Sequence, residues 1–167
     1  SKKKDGYHKI SSVFYPVLAC SDILEIAKQR YFSFKSTGIE IPKGENLCEK
    51  AFHLLKQDFS IPNVGIHLHK QIPIGSGLGG GSADAAFILK GLNDLFTLSI
   101  SSKKLEEYAL RLGADCPFFI ENTPKYVEGI GERMRSIDLD LNAFEIRFVY
   151  PKIHISTVDA YAGVTPH

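Results

Sequence analysis

Five of the 14 glycines fall within seven residues. They are Gly75, Gly77, Gly79, Gly80 and Gly81. This segment lies between a predicted strand and a predicted helix. Glycine lets a ligand approach backbone N–H groups closely and adopts positive φ angles without strain. The start of a helix adds unpaired N–H donors and the positive end of the helix dipole. Together these features predict an anion site, and the usual anion is a phosphate.

The residues around the glycine cluster disfavour other kinds of loop. A Walker loop ends in Gly-Lys-Ser/Thr, but no lysine occurs between Lys70 and Lys90. A dinucleotide fingerprint fits loosely, yet the acidic residue expected about 20 residues further on, at the end of a second strand, is missing. A flexible turn without a ligand is the plainest alternative. It is disfavoured because each glycine costs about 0.5–1 kcal/mol of folding entropy relative to alanine.

Composition and charge narrow the class of protein. The 167 residues include 20 Lys+Arg and 19 Asp+Glu, a net charge of +1. This balance disfavours binding to nucleic acid through overall charge. No apolar run approaches the roughly 18 residues of a membrane helix, and no secretory signal is visible. Cys20, Cys48 and Cys116 fit no zinc or redox pairing and are expected to be reduced, mostly buried thiols in the cytoplasm.

Hydrophobic patterning predicts strands first, then helices, then more strands. Residues 10–27, broken at Ser21-Asp22, predict a hairpin-like pair of strands, and residues 31–36 predict a third. Residues 64–68 alternate as a half-buried strand does, and short strands are predicted at 126–127 and 145–150. This order favours the α+β class, with a mixed or antiparallel sheet packed against helices.

Three helices with recognisable caps are predicted between these strands. Asn46 can cap a helix to about Asp58, and Ser82 can cap one that runs to Phe96. Ser101 can cap a third helix to Leu112, with Gly113 in the left-handed position past its end. One more helix is predicted to start at Ser156 or Thr157.

Several segments, in order along essentially the whole chain, resemble the GHMP small-molecule kinases (galactokinase, homoserine kinase, mevalonate kinase and phosphomevalonate kinase). The glycine segment from Pro73 resembles the family's second motif, Pro, three residues and Gly-Leu. Four further segments resemble one branch, which phosphorylates a cytidine diphosphate-linked methylerythritol in non-mevalonate isoprenoid synthesis. These segments are Asp5-Gly-Tyr-His8, Glu45-Asn-Leu47, Leu112-Gly-Ala-Asp-Cys-Pro-Phe-Phe119 and Glu128-Gly-Ile-Gly-Glu132, and a fifth match joins Ile155-Ser-Thr157 to Tyr161.

The resemblance implies an ATP-dependent kinase that acts on the 2-hydroxyl of that alcohol, with Mg²⁺ accompanying ATP and no nucleic-acid or membrane partner. The implied fold is that of ribosomal protein S5 domain 2. Residues 1–150 would form the N-terminal ATP-binding domain without its first strand, and residues 151–167 would begin a substrate-binding C-terminal domain. The family's catalytic lysine lies in a Lys-x-Asn segment on that first strand. None of Lys2, Lys3 and Lys4 is assigned to its role.

The resemblance also assigns roles to individual residues. Asp115 is the implied general base, and its alternative role is to cap the next helical turn. Tyr7, His8, Thr157 and Tyr161 are implied to contact the substrate, and His8 and Tyr161 to bind its cytosine. No metal ligand is assigned, and the role of Asp84, which replaces a common asparagine, is left open. The implied ATP-binding residues are Pro73, Ile74, Gly75, Ser76, Gly77, Leu78, Gly79, Gly80, Gly81, Ser82, Ala83 and Asn46.

Three rival functions remain open at this point. One is another kinase of the same family, of the homoserine or mevalonate type. The second is a nucleotide-binding module without catalysis. The third is RNA binding, suggested only by the ribosomal fold, and a fold does not fix a function.

Overall fold

A computed structural model describes residues 10–44, 46–129, 131 and 133–151. Within these residues the chain forms six strands and four helices. The strands are β1 (Ile10–Phe14), β2 (Ile23–Lys28), β3 (Ser33–Gly38), β4 (Val64–Lys70), β5 (Lys125–Gly129) and β6 (Arg133–Ser136). The helices are α1 (Leu47–Asp58), α2 (Gly80–Leu95), α3 (Ser102–Leu112) and α4 (Phe118–Glu121). The α+β class is confirmed.

The strands form two three-stranded sheets. In the first sheet β4 lies at the centre, antiparallel to β2 and parallel to β3. In the second sheet β5 lies at the centre, antiparallel to β1 and to β6. The first sheet is therefore mixed and the second antiparallel, as expected, although the split into two sheets was not predicted.

The core lies between the first sheet and the helices. Along β4 the side chains of Val64, Ile66 and Leu68 point to one face and are buried, because successive strand residues alternate between faces. Helices α1 and α2 pack on each other and bury an apolar stripe each. The stripes are Cys48, Ala51, Phe52, Leu54 and Leu55 on α1, and Ala85, Ala86, Ile88, Leu89 and Leu92 on α2.

The predicted hairpin of the first two strands was wrong. β1 pairs with β5, whereas β2 pairs with β4, so the two strands belong to different sheets. The physical reason lies at Asp22, just before β2. Its Oδ1 accepts hydrogen bonds from the N–H groups of Gln71 and Ile72, just after β4, at 2.6 and 2.8 Å. These bonds hold the start of β2 beside the end of β4.

Two further local predictions were wrong. Residues 145–150 are exposed and form no strand, because a β-prone segment needs a partner strand and none of the described residues provides one. Gly113 does follow α3, but its φ of 179° is extended backbone that any residue adopts. Strand β6 was missed, since its sequence Arg-Met-Arg-Ser carries no apolar alternation.

The helices are short compared with a bilayer. The longest in the described residues, α2, has 16 residues. None of the described helices has the length and hydropathy needed to cross a membrane.

Candidate active site

The glycine loop joins the central strand of the first sheet to helix α2. Three of its glycines have positive φ: Gly75 at 71°, Gly77 at 75° and Gly79 at 70°. An L-residue pays strain energy in this left-handed region, whereas glycine does not. Every second residue from 75 to 79 thus has a left-handed backbone conformation. This requirement explains the glycines at 75, 77 and 79.

The amino end of α2 opens directly from the loop. Gly79 occupies the N-cap position, and the N–H of Ala83 donates to the Gly79 carbonyl at 2.8 Å. The N–H groups of Gly80, Gly81 and Ser82 precede this first helical bond, so they are donors that the helix itself does not use. The expectation that Ser82 caps the helix was wrong, because α2 begins two residues earlier at Gly80.

A cavity of about 350 Å³ lies on one side of the loop. Its wall includes the residues implied to bind ATP from Pro73 to Ser82, apart from Leu78, and also Asn46. Lys70, Cys48 and Asp84 complete the side next to the core. Leu78 and Ala83 instead line a larger cavity on the other side of the loop. The structure thus brings Asn46, distant in sequence, to the glycine loop.

Asn46 is held rigidly at this wall by a reciprocal cap of α1. Its Oδ1 accepts from the N–H groups of Cys48 and Glu49 at 2.8 and 3.1 Å. In return, Glu49 Oε2 accepts from the Asn46 backbone N–H and side-chain amide. This arrangement is a capping box, which satisfies donors that a helix end leaves unpaired. The predicted cap is confirmed, whereas its contact with adenine stays a prediction.

Replacing Asn46 should therefore weaken α1. We expect Asn46→Ala to lower the free energy of unfolding by about 1–2 kcal/mol, because both halves of the box are lost. Ser101→Ala is the matched control, since that cap of α3 makes one exposed bond of 3.3 Å to Lys104 N–H. Chemical denaturation of the two variants measures the difference. An equal loss in both would contradict a special contribution from the box.

Asp115 lies in the connection between α3 and α4, against the amino end of α2. Its Oδ1 accepts a hydrogen bond of 2.9 Å from Ser82 Oγ. A methyl group added at Gly79 would lie 3.6 Å from Asp115 Oδ2. Asp115 is half-buried and lines the larger cavity, of about 1050 Å³. The backbone carbonyl of Asp115 accepts from Phe118 N–H, but its carboxylate is not the N-cap of α4, because Pro117 occupies that position.

At Gly79 the loop backbone is packed tightly against the Phe119 ring. A methyl group at Gly79 would lie 2.9 Å from Phe119 Cζ, whereas one at Gly77 would have no atom within 4 Å. Both glycines have similar positive φ. We expect Gly77→Ala to cost about 1 kcal/mol of stability through backbone strain alone. Gly79→Ala should cost about 1–3 kcal/mol more, because Phe119 must shift. Equal losses on thermal unfolding would refute this packing.

One cluster at the loop was not predicted from sequence. Lys70 Nζ donates to Asp22 Oδ2 at 2.5 Å and to Asp84 Oδ2 at 2.8 Å. The three side chains are only 3–8% exposed. We call Asp22, Lys70 and Asp84 the buried triad. It joins the start of β2, the end of β4 and the amino-terminal part of α2, so it ties together the two ends of the glycine loop.

The buried triad was detectable in principle from sequence periodicity. Lys70 continues the alternation of Leu68 and Ile66 onto the buried face of β4. Asp84 lies one turn before Ile88 on the buried stripe of α2. Two opposite charges on buried positions imply pairing, because an unpaired buried charge is very costly. Lys70 also supplies the positive charge that an ionised Asp84 requires beside a phosphate site.

The two acids of the buried triad differ in their environments. Burial raises the pKa of Asp84 to about 6, although Lys70 acts in the opposite direction. Burial also acts to raise the pKa of Asp22, but the hydrogen bonds from Lys70, Ile72 and Gln71 outweigh it and hold that pKa below its usual value. The pKa of Lys70 is raised: its two bonded carboxylates outweigh burial, which acts to lower it. A proton taken up by the triad therefore goes to Asp84.

The remaining predicted site residues lie outside the described residues. They are Tyr7, His8, Thr157 and Tyr161. Where the structure does describe the chain, no three His, Cys, Asp or Glu side chains are grouped so that they could hold a metal ion. Cys48 and Cys116 are buried free thiols and Cys20 is a half-buried one.

Comparison with known proteins agrees with this geometry. A 4-diphosphocytidyl-2-C-methyl-D-erythritol kinase of Bacteroides fragilis is 49% identical over 99% of this chain and 62% of its own length. The chain thus spans just under two thirds of the length of such relatives. A crystal structure of 4-(cytidine 5'-diphospho)-2C-methyl-D-erythritol kinase matches 83% of this chain and 50% of its own, with a TM-score of 0.70 and 35% identity.

A more distant structure shares the fold alone. The homoserine kinase of Cytophaga hutchinsonii matches 92% of this chain and 63% of its own with a TM-score of 0.54, at 18% identity. The sequence model of the GHMP kinases N terminal domain matches residues 46–122. Those residues include the cap of α1, the glycine loop, all of α2 and Asp115. Residues 46–122 therefore form a GHMP kinase N-terminal domain.

Proposed function

We propose that the full-length protein transfers the γ-phosphate of ATP to the 2-hydroxyl of 4-diphosphocytidyl-2-C-methyl-D-erythritol. One observation carries the proposal: Gly77 and Gly79 line both cavities. Asn46 borders only the smaller cavity and Asp115 only the larger. A nucleotide in the smaller cavity would extend its phosphates along the loop toward an alcohol held in the larger one.

The glycine loop would bind the phosphoryl group, and Asp115 would act on the attacking hydroxyl. The N–H groups of Gly80, Gly81 and Ser82, with the helix dipole behind them, would stabilise the charge on the transferred phosphoryl group. Asp115 would accept the proton of the attacking hydroxyl, and Ser82 would orient the carboxylate through its 2.9 Å bond. Catalysis is then mainly positioning and electrostatic stabilisation, without a covalent intermediate.

The magnesium ion would be held chiefly by the nucleotide. When bound with ATP it would neutralise charge on the phosphate oxygens, and Mg²⁺ generally keeps several water ligands and needs few from a protein. In the larger cavity the wall is largely apolar, with Phe118, Phe119 and Phe87. That lining suits the methylerythritol portion better than a highly charged group.

The cytidine end and the domain arrangement are part of the same proposal. His8 would hydrogen-bond the cytosine and Tyr7 would line the same pocket. Tyr161 would stack on the base, an interaction worth about 1–3 kcal/mol per base. Thr157 would contact the same substrate. Residues 1–150 would supply the ATP-binding domain, and residues 151–167 would begin the substrate-binding domain. The expected site of action is the cytoplasm.

A substrate panel tests the proposed activity. The full-length protein is incubated with ATP, Mg²⁺ and, in turn, the cytidine diphosphate-linked alcohol, homoserine and mevalonate, and ADP release is measured. We expect turnover with the first compound alone. Turnover of homoserine or mevalonate instead would assign another kinase specificity. ATP binding without turnover of any alcohol would assign a nucleotide-binding module, and either result would refute the proposal.

A further inference from the structure

The buried triad holds one more negative than positive charge. Lys70 is shared by two carboxylates at 2.5 and 2.8 Å, so the group has a net charge of −1 when both acids are ionised. Its side chains are at most 8% exposed, which limits screening by water and salt. Protonation of either acid would make the triad neutral. The charge state of this cluster therefore depends on a single proton.

Hydrogen bonding decides which acid takes the proton. Asp22 accepts three hydrogen bonds, from Lys70 Nζ and from the N–H groups of Gln71 and Ile72. These donors stabilise its ionised form. Asp84 accepts one, from Lys70, and its neighbour Asp22 adds like-charge repulsion. Asp84 is thus the poorer anion, and the raised pKa of its carboxyl agrees with this geometry.

The other ionisable groups near Asp84 do not replace it in this role. On α1, burial raises the pKa of the Cys48 thiol to about 12, so it stays neutral at ordinary pH. Glu49, on the same helix, is bound to Asn46 in the capping box. Asp115, from the connection between α3 and α4, is bonded to Ser82. The Cys116 thiol beside Ser82 also stays neutral, because burial raises its pKa to about 11. The other ionisable groups near Asp84 are Lys70 from the end of β4 and Asp22 from the start of β2.

The triad also borders the cavity assigned to the nucleotide. Lys70 and Asp84 line that cavity together with Gly79, Gly80 and Gly81. A methyl group built on Gly80 would lie 3.1 Å from Lys70 Nζ, so the lysine lies directly under the loop backbone. A triphosphate on the outer side of this loop would repel an ionised Asp84 across a short path of low dielectric.

We propose that nucleotide binding at the glycine loop is coupled to the uptake of one proton from solvent by the buried triad, with the Asp84 carboxylate as the acceptor. This inference rests on the proposed function, because the anion involved is the triphosphate of ATP. The proton neutralises the triad when the phosphate arrives, and it returns to solvent when the nucleotide leaves. Asp84 therefore tunes the affinity of the loop for phosphate without contacting the reacting atoms.

Calorimetry can count the proton directly. MgATP is titrated into the full-length protein at pH 6.5 in two buffers with different ionisation enthalpies, and the proton number is compared with that of Asp84→Asn. Subtracting the proton number of the variant from that of the wild type removes the contribution of protons that the nucleotide itself binds or releases. We expect the wild type to take up about half a proton more per nucleotide than the variant. At pH 7.5 the variant should bind about five- to tenfold more tightly, and this advantage should vanish at pH 5.

Matched variants separate this proposal from its rivals. Asp94→Asn removes an exposed acid of the same helix and should keep the wild-type proton number. Asp22→Asn, which removes the repulsion, should reduce the uptake as Asp84→Asn does. Equal proton numbers and affinities in wild type and Asp84→Asn would overturn the coupling while leaving the kinase assignment intact. No binding of MgATP by the wild type would overturn both.

A measurement without nucleotide tests the acceptor itself. The folded-state pKa of Asp84, about 6, lies above the usual 3.8, so between these values the folded protein binds more protons than the unfolded chain. Stability contributed by this group therefore falls as pH rises through that window. Asp84→Asn should melt at the wild-type temperature at pH 4 and at a higher one at pH 7.5. A lower melting temperature at pH 7.5 would overturn the assignment of Asp84.

Discussion

Replacing Asp115 by asparagine in the full-length protein should lower kcat by about 10²- to 10⁴-fold while the affinity for ATP changes little. General-base catalysis contributes an effect of this size, and an amide cannot accept the hydroxyl proton at neutral pH. Asparagine keeps the oxygen that accepts the 2.9 Å bond from Ser82, so the local structure should be preserved. Steady-state kinetics and equilibrium ATP binding give the two quantities.

Two control variants test whether the loss of kcat in Asp115→Asn is specific to the proposed base. Asp94→Asn changes another acid that lines the same cavity and should leave kcat within about twofold of the wild type. Ser82→Ala removes only the bond that orients Asp115, so it should reduce kcat much less than Asp115→Asn does. A variant Asp115→Asn with wild-type turnover would show that the hydroxyl loses its proton elsewhere. Loss of ATP binding in that variant would show that the acid belongs to the nucleotide site.

Replacing Lys70 by methionine should lower the free energy of unfolding by about 3–5 kcal/mol at pH 7.5. The substitution keeps much of the apolar stem but leaves the carboxylates of Asp22 and Asp84 buried without their cation. Removing one partner of a buried ion pair costs this much because the remaining charge has lost both water and counter-charge. Chemical denaturation monitored by circular dichroism measures the loss.

The cause of that loss can be isolated by rescue. Adding Asp22→Asn and Asp84→Asn to Lys70→Met removes both unpaired charges and should recover most of the lost stability. The single variant should also improve as pH falls toward 4.5, because the unpaired carboxylates take up protons. Lys104→Met breaks an exposed pair with Glu107 and should change stability little. Failure of the neutralised variant to recover would assign the loss to packing instead.

Much of the site could be predicted because its chemistry is local in sequence. The glycine loop and the helix that follows it occupy one continuous stretch, and the loop's positive φ angles explain its composition. Asn46 was predicted as a cap because capping depends on residues within one turn of it. Its position beside the glycine loop was implied by the family resemblance, and the packing of α1 against α2 produces it.

The missed features all depend on pairing between distant segments. Hairpin formation was inferred for β1 and β2 because both are apolar and adjacent in sequence. The bonds from Gln71 and Ile72 to Asp22, which place β2 beside β4, join residues about 50 positions apart. No role is predicted for Lys70 from the sequence, although the periodicity of β4 points its side chain inward. Residues 145–150 have strand-like composition, but composition alone supplies no hydrogen-bonding partner.

In the proposed reaction the backbone of the glycine loop binds the triphosphate and directs it toward an alcohol beside Asp115. A crystal structure of the full-length protein with a non-hydrolysable ATP analogue, Mg²⁺ and the cytidine diphosphate-linked alcohol would test this arrangement. The γ-phosphate should accept hydrogen bonds from N–H groups between Gly77 and Ser82, with the 2-hydroxyl about 3 Å from the Asp115 carboxylate. A triphosphate bound away from this loop, or a hydroxyl far from Asp115, would contradict this arrangement.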